Sequence, residues 1–296
     1  MCPVPVRLAT VVLVCACLVP LASAPLAHAA HARSAYARHV AALQPRIAKL
    51  GDGFTTVLEP PFVVTGDGAP EDVRHFAATT VRWAVEKLKA VYFAHDPKHI
   101  LDIWLFKDDV SYRRNARLLF GEVPDTPYGY YSPTHRALVM NIATGGGTLV
   151  HEIVHPFMEA NFPDVPAWFN EGLGSLYEQS AERGGRIIGL TNWRLRGLQR
   201  EIARDTLPSF ASLLKLSDGA FYRDRRGDNY AQARYLCLYL QRRGLLPRFF
   251  HAFRKNQHRD PTGYRTLRAI LGLRGQSATK AFERRWRKWV MSLSFT

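Results

Sequence analysis

The stretch Thr148-Leu149-Val150-His151-Glu152-Ile153-Val154-His155 constrains this chain more than any other. Two histidines four residues apart share one face of a helix, because four residues make slightly more than one turn. Both imidazoles can then reach one metal ion, which is the reading that the H-E-x-x-H pattern carries. Glu152 projects about 100° round the helix from His151, and this sets its carboxylate beside that ion. Leu149, Val150, Ile153, Val154 and Phe157 cover the other side, so the helix can be buried while its histidines line a cleft. The alternative is a buried helix with two ordinary histidines.

A second segment weighs against that alternative. Pro166-Ala167-Trp168-Phe169-Asn170-Glu171-Gly172-Leu173-Gly174-Ser175-Leu176-Tyr177 opens with a proline suited to a helix's first turn. Trp168, Phe169, Leu173, Leu176 and Tyr177 recur at helical spacing. Glu171 lies among them, and a carboxylate on such a face needs a partner. A zinc ion supplies one. A catalytic zinc site takes three protein ligands and keeps one open position, and His151, His155 and Glu171 fill that count.

With these residues in place, the chain resembles the gluzincin zinc peptidases, the thermolysin and aminopeptidase N group. It is more similar still to the peptidase MA-like domains of bacterial secreted proteins. His-Glu-x-x-His followed by Trp168-Phe169-Asn170-Glu171-Gly172 carries the resemblance. It extends more weakly from about Phe54 to the C-terminus, through Gly145-Gly146-Gly147-Thr148 and Tyr230-Ala231-Gln232-Ala233-Arg234. The resemblance implies Glu171 as third ligand and an edge strand that binds extended substrate beside the cleft. The chain departs from the family at two points. Pro156 directly follows His155, removing a backbone donor and predicting a kink. The aminopeptidase G-A-M-E-N segment is absent, which argues against recognition of a peptide's amino terminus. Glu159, one turn beyond His155, is a rival ligand, with a solvated or supporting carboxylate as the plainer reading.

Residues 1–29 read as a signal peptide: Arg7 gives the positive start, Leu8 to Leu21 is apolar, and Ala27-His28-Ala29 is an A-x-A-like cleavage site. The surroundings of Cys15 and Cys17 argue against lipid anchoring, and the apolar run, broken by Pro20, is short for a membrane span. The mature protein is expected to be exported, periplasmic or secreted, with no transmembrane span. Only Cys237 lies beyond the leader, in an apolar helical pattern that suits packing.

Residues 30–53 read as a helical lead-in interrupted by Pro45, and 54–296 as the peptidase-like domain. Its first lobe, about 54–160, is expected to carry strands at 62–65, 100–106, 128–131 and 136–141, with helices at 70–93 and 110–120 before the zinc helix. The resemblance implies that the arm Ala137-Leu138-Val139-Met140 pairs with a peptide backbone; an ordinary sheet strand is the competing reading. The second lobe, 161–296, is expected to be mostly helical, with a short strand at 185–189. Asp228 and Ser277 are candidate helix caps. The last helix carries an apolar stripe of Phe282, Trp286, Trp289 and Val290 interleaved with Arg284, Arg285, Arg287 and Lys288; docking on the core is expected, with a membrane-surface helix as the alternative. The expected architecture is α+β: a zincin-like lobe with a small mixed sheet, then a helical lobe, with the site between them.

The composition, 47% hydrophobic and 11% aromatic, suffices for a substantial core. A formal charge of +15 draws a protein to polyanions, although solvated surface accounts for most such charge. No nucleic-acid module signature is present. The absence of a G-x-S-x-G or comparable setting argues against serine or cysteine hydrolysis.

Two functions remain open. One is an exported zinc metallopeptidase, an endopeptidase, with Glu152 as general base. The other is a catalytically weak zincin-fold module that binds an acidic envelope component. For the peptidase an oxyanion donor is needed, and Tyr230, Tyr130, Tyr131 and His135 are candidates. Tyr230 leads because the resemblance implies a tyrosine well after the third ligand; a packed helix-start aromatic is the competing reading.

Overall fold

A computed structural model describes residues 24–224 and 226–295. Residues 1–23 of the expected leader lie outside them. Helix α1 (Ala24–Ala48) continues through Pro45. A proline costs a helix the bond its N–H would make, and here it does so only in the final turn.

The chain then builds a five-stranded mixed sheet from β1 (Thr55–Glu59), β2 (Phe62–Gly66), β3 (Leu101–Phe106), β4 (Gly129–Ser132) and β5 (Ala137–Asn141). The spatial order is β1-β2-β3-β5-β4. β1 and β2 form an antiparallel hairpin, β2, β3 and β5 run parallel, and β4 closes the sheet antiparallel to β5. Ala137–Met140 is thus an ordinary interior strand, paired on both sides, and not the peptide-pairing arm that the resemblance implied; of the two hairpin arms it is β4 that lies at a sheet edge. The parallel crossover from β3 to β5 seats β5 against β3, so only the other arm of the hairpin is left outside.

Both sheet faces are buried, which is why the parallel strands read as apolar runs without alternation. Phe62, Val64, Ile103, Leu105, Leu138 and Met140 join one core; Val63, Trp104, Phe106, Ala137 and Val139 join the other. The second face is covered by Leu43 of α1 and by Tyr112 and Ala116 of α4 (Asp109–Phe120), counting α2 (Pro70–Phe76) and α3 (Trp83–Lys89) ahead of it. Asp108 caps α4 by accepting from the Ser111 N–H at 2.8 Å, and Gly121 ends it at φ 77°. On the first face lie α2, a π turn over Ala77–Arg82, α3, and the motif helix α5 (Gly147–Asn161). α5 continues through Pro156, so the expected kink does not end it.

Beyond α5 the chain is mainly helical: α6 (Ala167–Tyr177), the hairpin β6 (Ser180–Arg183) and β7 (Arg186–Gly189), α7 (Arg194–Ala203), α8 (Phe210–Leu213), α9 (Asp218–Tyr222), α10 (Asp228–Arg242), α11 (Leu246–Asn256), α12 (Tyr264–Ile270) and α13 (Gly275–Met291). α6 and α10 approach closely at Gly172, where a Cβ would lie 3.2 Å from Ala233. Two expected caps are displaced. Gly227, at φ 75°, holds the position before α10, so Asp228 is that helix's first residue, where its charge suits the helix's positive end. α13 begins at Gly275, so Ser277 lies inside it. Phe282, Trp286 and Val290 are buried in the core, and the Trp286 Nε1–H donates to the Tyr235 carbonyl at 3.2 Å. One continuous core therefore joins the sheet's first face to the helical half. Among the described residues no helix is long and apolar enough to cross a membrane.

Candidate metal centre

α5 and α6 pack against each other so that His151, His155 and Glu171 converge. One ligand atom from each lies within 4.8 Å of the other two. His151 Nε2 is 3.1 Å from Glu171 Oε2, and His155 Nε2 is 3.9 Å from the same oxygen. The two imidazole rings stand 4.9 Å apart at 72°. His151 and Glu171 are 7% and 6% exposed, which makes this a buried donor set opening on one side.

The far nitrogen of each ring is held. His151 Nδ1 lies 3.1 Å from Glu178 Oε1, and His155 Nδ1 lies 3.1 Å from Asn170 Oδ1. With Nδ1 held in this way, the nitrogen free to release its proton to a metal is Nε2, the arrangement a metal-binding histidine needs. Glu178 is itself fixed by Arg194, which donates through Nη2 at 2.8 Å and Nε at 3.0 Å, and by Asn192 Nδ2 at 3.0 Å. The Tyr222 hydroxyl donates to Glu171 Oε1 at 2.8 Å, leaving Oε2 for the centre.

The charges are arranged to match. Burial pushes the His151 imidazole down, but the Glu171 and Glu178 carboxylates overrule it and carry it up to about 10. Burial favours the neutral form of Glu171, yet His155, His151 and Tyr222 bring it down to about 2. Glu178 is likewise brought to about 2 against burial, by His151 and Arg194. Without an ion, the cluster therefore keeps its positive charge as a proton on His151. The chemistry fits a divalent cation: two imidazoles and one ionised carboxylate converge, and each ligand is fixed from behind.

Glu152 occupies the side of the centre that its helical offset predicts. Its Oε2 lies 3.8 Å from His155 Nε2. Burial raises its carboxyl above the usual range, with His151 and His155 pulling the other way. The centre opens into a cleft of about 480 Å³, between the β4 edge and the α6–α9–α10 side. Asn141 N–H donates to the Tyr128 carbonyl at 2.8 Å, which fixes the phase of the ladder. Alternation then turns the Tyr130 backbone groups toward β5 and those of Tyr131 toward the open edge.

The other sequence candidates part company here. Tyr230 lines the cleft, packed against Phe221 and Tyr222, and burial holds its phenol well above the usual range. Tyr130 lines the cleft as well, with its hydroxyl buried and without a partner among the described residues. Tyr131 donates to Glu159 at 3.0 Å. Glu159 is exposed and stands outside the converging group, which removes it as a rival ligand. His135 packs on Phe120, 4.8 Å between ring centres, and does not line the cleft.

Sequence reading missed Glu178, Arg194 and Tyr222. Glu178 follows the last turn of α6, where no periodicity marks it. Tyr222 lies on the five-residue α9, too short for a periodic signal, and meets Glu171 across 51 residues of chain. Asn170 was visible beside Glu171, but its bond to His155 was not. No family model matches the chain, and no curated protein matches it.

Proposed function

We propose that the protein is a zinc-dependent endopeptidase of the gluzincin, peptidase MA-like kind, acting after export. The observation that carries this reading is the convergence of His151, His155 and Glu171, each fixed from behind, with Glu152 alongside in an open cleft. Two ligands of a tetrahedral zinc, each about 2.0–2.1 Å from the metal, stand roughly 3.3 Å apart. The spacings of 3.1 and 3.9 Å to Glu171 bracket that value. Imidazole with one carboxylate is also the donor set of hydrolytic zinc sites.

A bound zinc ion would acidify water and polarise a scissile carbonyl. Glu152 takes a proton from the attacking water and returns it to the leaving amine. Tyr230, its phenol kept protonated, donates to the oxyanion. Glu178 and Asn170 hold the imidazoles in the tautomer that presents Nε2. The Tyr131 backbone faces the open edge beside Glu152, where its N–H serves the Glu152 carboxylate and its C=O is the group left to accept from an extended peptide. The leader-like residues 1–29 support export. The competing reading, a weakly catalytic module that binds an acidic envelope component, drew on the +15 charge and on Pro156. The second ground is weakened by a helix that carries both imidazoles on one face through Pro156.

Paired zinc content and peptide cleavage test this. The parent is expected to hold about one zinc per chain. Glu171→Ala and His151→Ala should lose zinc and activity together. Glu152→Gln should keep zinc and the fold, yet lose hydrolysis by about 10²–10⁴-fold. A parent that stays metal-free after zinc addition and dialysis would overturn the reading. So would a Glu152→Gln variant that cleaves at the parent rate.

A further inference from the structure

Beside the metal cleft lies a second hollow of about 430 Å³. The two share Tyr131, Pro133, Glu159 and Pro163, so they are neighbouring parts of one groove along the β4 edge. Glu159 is four residues beyond His155 on α5, about 6 Å along the helix axis. An extended peptide advances roughly 3.3 Å per residue. The hollow therefore begins about two substrate residues from the reacting bond.

Its floor is apolar, formed by Leu101, Pro156 and Ala160, and its rim is basic, with Lys98, His99 and Arg136. Lys98 and Arg136 make no ion pair among the described residues. The hollow's one acid, Glu159, sits on the wall shared with the cleft and accepts from the Tyr131 hydroxyl. Two cations without carboxylate partners thus stand over an apolar floor, against one carboxylate already hydrogen-bonded. A side chain with a short aliphatic stem and an anionic end fits that arrangement.

We propose that this hollow is a specificity subsite that selects an acidic residue about two positions from the cleaved bond, read by Arg136 and Lys98. The proposal rests on the peptidase reading above. The charge contacts are exposed to water, so selection is electrostatic, modest in size and sensitive to salt.

The test uses the full protein and peptides matched except for Glu, Gln or Lys at each position within three of the cleaved bond. Each is made with an amidated and with a free C-terminus. At low salt Glu should exceed Gln by about tenfold in kcat/KM at one position, and the gap should close near 0.5 M salt. Lys98→Glu and Arg136→Asn should each shrink the gap; asparagine suits the φ of 51° at position 136. Glu159→Gln, which removes a like charge, should widen it. Equal rates for Glu and Gln at every position would overturn the subsite while leaving the peptidase intact. A preference confined to free-terminus peptides would also overturn it, in favour of a chain-end carboxylate. Fluorescence anisotropy of the same peptides on Glu152→Gln separates the two readings. If the parent cleaves nothing, the peptidase reading fails. What then stands is the hollow as a site for an acidic side chain, if Glu peptides bind this variant more tightly than Gln peptides and Arg136→Asn erases the difference; it falls if they bind alike.

Discussion

At the scale of single residues, the groups behind the three candidate ligands matter as much as those three. Glu178 touches no position where an ion would sit, yet it fixes His151 and is itself held by Arg194 and Asn192. Glu178→Gln removes the charge and keeps the size. It is expected to lower zinc affinity by about 10–100-fold with the fold intact, read by chelator competition beside circular dichroism. Unchanged affinity would mean that packing alone aims His151. The same cluster sets a pH signature in the metal-free protein. Glu171 and Glu178 fall from 4.5 to about 2 on folding, so their stabilisation is complete above 4.5 and is lost as pH falls through about 2. His151 rises from 6.5 to about 10, so its share is complete below 6.5 and is lost as pH rises through about 10. The cluster therefore contributes most between about pH 4.5 and 6.5, and thermal unfolding of chelated protein across pH should show a shoulder there. Bound zinc displaces the His151 proton, so the alkaline loss should flatten when the metal is present.

At the scale of elements, the site is made by one helix pressing on another. α6 passes His151 at Gly174, where an added Cβ would lie 3.1 Å from the imidazole ring. That ring is pinned by Glu171 on one nitrogen and Glu178 on the other, so it can yield only by loosening a bond. Gly174→Ala is expected to weaken zinc binding while moving Tm by only a few degrees. Gly147, at the start of α5, is the harsher case: its Cβ would meet the Glu178 carbonyl oxygen at 2.1 Å, backbone against backbone. Gly147→Ala should cost about 2 kcal/mol or more, measured by denaturant unfolding. A Gly147→Ala protein as stable as its parent would show that the junction of α5 and α6 has slack. Of the three glycines in Gly145-Gly146-Gly147, Gly147 is thus the one required by a close approach of two backbones.

At the scale of the whole molecule, the +15 charge and the continuous core act separately. Retention on an anionic envelope polymer is expected to be weak and to fall steeply with salt, with little effect on cleavage of a short neutral peptide. Tight, salt-insensitive retention would contradict an electrostatic origin. Periodicity and breaker residues act locally, so the motif helix, the spacing of His151, His155 and Glu171, the α+β class and the run of most elements were legible in the sequence. It also favoured the apolar stripe of α13 as a docking face over a membrane-surface one, and Phe282, Trp286 and Val290 are buried in the core. Only the folded sheet shows that β4, not β5, lies at the edge beside the cleft, because strand order is set by pairing across the sheet and not by any strand's composition. Tertiary structure alone brought Glu178 to His151 and Tyr222 to Glu171, contacts spanning 27 and 51 residues. Such contacts leave no mark on local pattern: they depend on how α6, α9 and α5 pack, and packing is a property of the folded chain as a whole.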